Sequence, residues 1–119
     1  MDGETRTKET ELEWTEVAHR DQVPTDGSGL VVETASHRLA VFVVDGAAHV
    51  LDDACPHQGA SLGLGVTKAG EVTCPWHGWH FALASGENTD GLGECVRVHE
   101  CRMGTDGRIE ARLTQAPEG

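Results

Sequence analysis

The sequence predicts a mostly β protein, an antiparallel sandwich or small barrel, on three observations. Short runs of β-branched and apolar residues, about seven of them, alternate with turns rich in Gly, Pro, Asp and Ser. No segment carries a 3.6-residue apolar period, and no internal repeat is visible. At 119 residues and 12.7 kDa, the chain has room for one domain around one hydrophobic core.

Taken in order, residues 1–11 carry charge without periodicity and are expected to form a flexible tail, as are residues 114–119; the organised domain runs over 12–113. Leu12, Trp14 and Val17 predict a first strand, and Asp21–Gly29 a turn region. Leu30–Thr34 and His37–Val44 read as strands joined by Ala35–Ser36. Asp45–Gly46, between Val44 and Ala47–Leu51, predicts a two-residue hairpin, because a type I′ turn needs positive φ at both central positions. Asp52–Thr73 has another texture: it is Gly-rich (Gly59, Gly63, Gly65, Gly70) and short of strand formers. Trp79, Phe81 and Leu83 alternate with His80, Ala82 and Ala84 as a half-buried strand closed by Ser85–Gly86. Val96, Val98, Cys101 and Met103 predict a further strand, Gly104–Gly107 a turn, and Arg108–Leu113 a last strand with Ile109, Ala111 and Leu113 on one face.

Composition removes several function classes. The apolar 38%, together with 15 Gly, matches a globular chain and rules out disorder throughout. Twenty acidic against nine basic residues give a net charge of −11, which repels phosphate backbones and argues against nucleic acid as a partner. The longest apolar run, Leu39–Val44, is far short of the roughly 20 residues that span a bilayer, so no membrane partner is expected. Met1–Glu13 lacks the apolar stretch of a signal peptide, and the expected location is the cytoplasm. There, four cysteines point to metal binding or catalysis more than to disulfides. Cys95 and Cys101, read on a single strand, stand roughly 20 Å apart, beyond the reach of a disulfide, and are expected to be small buried or half-buried apolar side chains.

The chemistry is concentrated in Cys55-Pro56-His57 and Cys74-Pro75-Trp76-His77, two Cys/His pairs with residues 58–73 between them. Each offers one soft thiolate and one imidazole on a short loop, a mixture suited to zinc or to iron–sulfur chemistry. Structural zinc modules usually pair like with like, Cys with Cys and His with His. Here two facing loops bring two thiolates to one end and two imidazoles to the other, which suits two metals. A zinc-stabilised, non-redox interaction module stays open as the alternative.

Cys-x-His…Cys-x-x-His, set in Cys55-Pro-His-Gln-Gly-Ala and Cys74-Pro-Trp-His-Gly-Trp-His-Phe, resembles the motif of the Rieske [2Fe–2S] ferredoxins. Val43-Val-Asp-Gly46 ahead of Leu51-Asp-Asp-Ala54, Phe81-Ala-Leu-Ala-Ser-Gly86 and Asp106-Gly-Arg-Ile109 extend the similarity over about Leu12 to Leu113. The resemblance implies a Rieske-like sandwich or barrel with a small Gly-rich cluster-binding subdomain, its loops at about 52–80. It also implies one [2Fe–2S] cluster, with Cys55 and Cys74 on the inner iron and His57 and His77 on the outer. Pro56, Gln58, Gly59, Pro75, Trp76 and Gly78 would shape the loops. The function implied is that of a soluble one-electron carrier, not an enzyme alone, passing electrons from a reductase to a ring-hydroxylating oxygenase or similar monooxygenase. The small subunit of an NAD(P)H-dependent nitrite reductase, beside its large subunit, is the alternative. Members of the family in membrane complexes brace each loop with a second Cys and bond the cluster with Ser and Tyr hydroxyls. Here Ala60, Trp76 and Trp79 occupy the Cys and Ser places, and the chain has no Tyr. Each missing bond, at about 1 kcal/mol, lowers the potential by roughly 40 mV. A potential near the bottom of the roughly −150 to +300 mV Rieske range is therefore expected, together with ligand imidazoles that titrate at or above neutrality.

The remaining candidates read blandly. His19, His37, His49, His80 and His99 have no paired spacing for a second metal, with His80 pointing outward and His99 packing inside. Gly63-Leu-Gly65 lacks the order of a dinucleotide fingerprint. Trp79 is expected to be buried; Trp76 is split between covering the cluster and meeting a redox partner.

Overall fold

The computed structural model describes residues 14–34, 37–55, 60–75, 78–91 and 93–113. Nine strands lie among them: β1 Thr15–His19, β2 Leu30–Glu33, β3 Arg38–Val44, β4 Ala47–Asp52, β5 Val66–Lys68, β6 Glu71–Thr73, β7 His80–Ala82, β8 Val98–Met103 and β9 Arg108–Arg112. Six form one sheet in the order β1-β9-β8-β4-β3-β2, and three form a second, β5-β6-β7. Every pairing is antiparallel.

The long apolar run of β3 follows from its central place. Leu39 and Val41 face one core with Val17, Val50, Ile109 and Ala111, while Ala40 and Phe42 face a second core with Leu51, Leu62, Val72, Phe81 and Leu83. A strand covered on both faces loses its apolar/polar alternation and reads as a continuous run. The second core fills the space between the six-stranded sheet and the small one, and it is there that Cys55 and Cys74 are packed.

Local chemistry explains the connections. Asp45 (φ 53°) and Gly46 (φ 80°) make the β3–β4 turn with the positive φ at both central positions that a two-residue hairpin needs, pairing Val44 with Ala47. In β1 the register shifts between Glu16 and Ala18, and this bulge lets the adjacent Val17 and Ala18 both turn inward. Ahead of it, the Trp14 ring meets the Arg102 and Arg112 guanidinium groups, 4.0 and 4.6 Å from its centre. Those arginines pair with Glu110 and Glu100 on the neighbouring strands.

Several expectations are corrected. Asp52–Thr73 is not strand-poor: β5 and β6 form a hairpin there, turned by Ala69 (φ 55°) and Gly70 (φ 81°), with strands too short to announce themselves by alternation. Cys95 does not share a strand with Cys101. It makes an isolated bridge to Glu87, three residues before β8 begins, and lies exposed rather than buried. Cys101 is half-buried as expected, its Sγ 3.2 Å from the Ala48 carbonyl oxygen, and burial pushes its thiol above the ordinary 9.0. Both thiols are free. The strand at Trp79–Leu83 is shorter than its alternation suggests, because Leu83 already belongs to the turn that Gly86 closes. The tails and Leu12 lie outside the described residues.

Candidate metal centre

The two Cys/His segments are built alike. The Cys55 amide donates to the Ala60 carbonyl at 2.8 Å, and the Cys74 amide donates to the Trp79 carbonyl at 2.7 Å. In each case the cysteine reaches the residue five places on and closes a loop at its neck. The first neck is reinforced by the Ala54–Ser61 bridge and by Leu62 N–H donating to the Asp53 carbonyl at 2.8 Å. The second neck joins β6 to β7, whose pairing sets Thr73 opposite His80.

Both cysteines are 2% exposed and belong to one core cluster with Leu62, Val72, Phe81 and Leu83. Buried thiols that form no disulfide, each at the foot of a closed loop, are a donor set that fits an inner metal shielded from water. His57 and His77, with Pro56, Gln58, Gly59 and Trp76, lie outside the described residues, and no cluster of three ligating side chains occurs among the described ones.

Asp52 and Asp53 lead into the first loop, and sequence reasoning gave neither a role. Asp52 accepts from Arg97 at 2.9 Å and lies 2.7 Å from Nε2 of His99, which is buried on β8 where it pairs with Val50 of β4. His99 therefore packs inside as expected, and pairs with a carboxylate as well. Asp53 is buried and accepts from the Ser61 hydroxyl at 2.9 Å and the Gly63 amide at 2.7 Å. The signal available was the Asp-Asp doublet that ends two residues before Cys55.

After the second loop, Trp79 is half-buried and tilts against Phe81 at 6.4 Å. His80 is half-exposed, as its outward direction implied, and is clasped by Asp90. That carboxylate accepts from the His80 amide at 2.7 Å and meets its Nδ1 at 3.0 Å, which holds Asp90 below the ordinary 3.8. On the other side, Leu64 (71% exposed) and Val66 (51%) are the exposed large apolar residues among the described ones. With Thr73, Cys74, Pro75 and Gly78 they line an open depression beside the second loop.

Fold and site together define a small iron–sulfur electron-transfer domain. A Rieske [2Fe-2S] domain model matches residues 13–99, and the chain belongs to that family; its cofactor is a Rieske [2Fe–2S] cluster. It is 28% identical to the ferredoxin component of the alkene monooxygenase system of Xanthobacter autotrophicus, over 86% of this chain and 83% of that protein. The Sphingomonas yanoikuyae B1 ferredoxin superposes with a TM-score of 0.75 at 25% identity, covering 86% of this chain and all of that one. A Mycobacterium tuberculosis protein assigned as an NADH-dependent nitrite reductase small subunit gives 0.77 at 26% identity, over 88% of this chain and 98% of that one. Of several larger curated relatives the chain spans only 10% to 22% of the length. The zinc alternative has no support in this membership.

Proposed function

We propose that the chain is a low-potential one-electron carrier in which Cys55 and Cys74 ligate the inner iron and His57 and His77 the outer, working between a reductase and an oxygenase-type enzyme. One observation carries this reading: Cys55 and Cys74 are buried at matching loop necks in a single core cluster, each followed within three residues by a histidine. When bound, the cluster supplies reversible one-electron storage. The chain's own residues do the rest. Leu62, Val72, Phe81 and Leu83 exclude water from the thiolate side, and the two necks hold the loops at fixed length. No residue of the carrier needs to make or break a substrate bond, so catalysis belongs to the partner.

The apolar Leu64 and Val66 beside Cys74 and Pro75 favour contact with a protein partner on this side. Asp26, on the loop that bridges to Val66, is held ionised below the ordinary 3.8, chiefly by the Ser28 amide. Apolar contact on a chain of −11 suits a basic docking face on the partner and disfavours a second copy of the same chain. The alternative, a nitrite reductase small subunit beside its large subunit, is favoured by the similarity to the M. tuberculosis protein. In either case the cytoplasm is the proposed location.

Ligand substitution tests the assignment. Cys55→Ser, His57→Ala, Cys74→Ser and His77→Ala are each expected to lose iron and acid-labile sulfide, while Cys95→Ser and Cys101→Ala keep both. Full cluster content in any of the first four would overturn that residue's role. Reconstitution with a reductase and an oxygenase tests the carrier reading, which gives way to the subunit reading if the chain instead co-purifies with a large nitrite reductase.

A further inference from the structure

Asp53 is the one fully buried carboxylate among the described residues, 1% exposed, whereas Arg38, which faces it, keeps its side chain 54% exposed. Its two oxygens are treated differently. Oδ1 accepts from the Ser61 hydroxyl and the Gly63 amide, on the strand of chain that leaves the first ligand loop. Oδ2 receives no hydrogen bond from the described residues and has only the charge of Arg38, its Nε 3.0 Å away. The backbone of the same residue donates to the Arg38 carbonyl at 2.9 Å and accepts from Leu62. Gly63 leaves room for this grip: a Cβ there would press on both Val31 and Asp53 Oδ1. Asp53 thus ties the chain entering the loop, two residues before Cys55, to the chain leaving it and to the start of β3.

We propose that Asp53 is a positioning residue for the first ligand loop and that the Asp53–Arg38 pair sets the ease of reduction at the metal centre through its two opposed charges. The inference rests on the reading of Cys55 and His57 as ligands. Reduction adds negative charge; a buried anion beside the loop opposes it and a cation favours it. The anion, shut away from water, is poorly screened, whereas the half-exposed cation is screened more strongly and has the smaller effect. Because Oδ2 is compensated by charge alone, removing either partner shifts the balance with opposite sign.

The experiment is a redox titration of the cluster-loaded protein, with iron and sulfide measured on every sample. Asp53→Asn keeps the shape and the Oδ1 acceptor but removes the anion, and raises the midpoint potential. Arg38→Gln leaves the anion uncompensated and lowers it, and Arg38→Lys returns it towards wild type. Removing the buried anion is expected to alter the reduced-to-oxidised ratio at fixed poise about tenfold, roughly 59 mV for one electron, and removing the half-exposed cation to alter it less and in the opposite sense. Shifts of the same sign in Asp53→Asn and Arg38→Gln, or no recovery in Arg38→Lys, would reduce the pair to loop packing and overturn the inference. Should Asp53→Asn fail to hold the cluster, the Arg38 series decides alone: an unchanged potential in Arg38→Gln overturns the inference. Failure of the underlying ligand reading shows separately, as wild-type protein whose cluster lacks histidine ligation.

Discussion

His49 stands opposite Phe42 in the β3–β4 pairing, half-buried, and burial holds its imidazole below the ordinary 6.5. The unfolded chain therefore takes up a proton at this residue before the folded protein does. Its contribution to stability is present above the unfolded value and is lost as pH falls from about 6.5 towards the lower folded value. His49→Gln is expected to show a smaller fall in Tm between pH 7.5 and 5 than wild type; an equal fall would mean that His49 is not the group responsible. At this scale the family was legible where spacing encodes chemistry: the Cys55/His57 and Cys74/His77 pairs carried the resemblance to the Rieske motif. Asp53 did not stand out, since its importance comes from burial and from partners at Ser61, Gly63 and Arg38 that only folding brings together. Cys95 was misread because the apolar spacing from Val96 to Met103 seemed to extend back through it, whereas the chain joins β8 only at Val98.

Turns, more than strands, decide how the elements lock. Gly86 has φ +78°, and a Cβ there would collide with the Val96 carbonyl; its amide donates to Ala82 and its own carbonyl accepts from Val96. Gly46 has nearly the same φ, +80°, but open space around it. Alanine at Gly46 pays only the backbone strain, about 1–2 kcal/mol, and at Gly86 an added clash of about 1–3 kcal/mol. Gly86→Ala should therefore lower Tm clearly more than Gly46→Ala. Equal losses would mean that the Val96 contact yields at no cost. A Cβ at Gly65 would collide with the Thr73 carbonyl, one residue before Cys74, so Gly65→Ala is expected to weaken cluster retention as well as stability. The Asp45–Gly46 hairpin was legible because both residues favour positive φ. The β5–β6 hairpin was not, because Ala69 takes a conformation its side chain disfavours and three-residue strands carry no alternation to count.

Over the whole molecule, the mostly β architecture followed from turn spacing, but the strand order did not. The pairing of β1 with β9 and of β4 with β8 joins distant stretches whose alternation says nothing of their neighbours. The net charge acts at this scale too. Electron transfer to a basic partner is expected to slow as ionic strength rises, because screening removes long-range attraction; a flat or rising profile would exclude steering. Leu64→Ser should slow transfer without shifting the midpoint potential, since Leu64 is exposed beside the second loop and carries no charge.

Mixed ligation by two cysteines and two histidines is the claim on which carrier, potential and docking all depend. Hyperfine spectroscopy of the reduced protein, grown with ¹⁵N-labelled histidine, reads it directly. The account predicts two histidine nitrogens coupled to the cluster spin, both absent from His57→Ala and His77→Ala protein because the cluster itself is lost. A reduced [2Fe–2S] signal without histidine coupling, or wild-type protein without iron and sulfide, would contradict it.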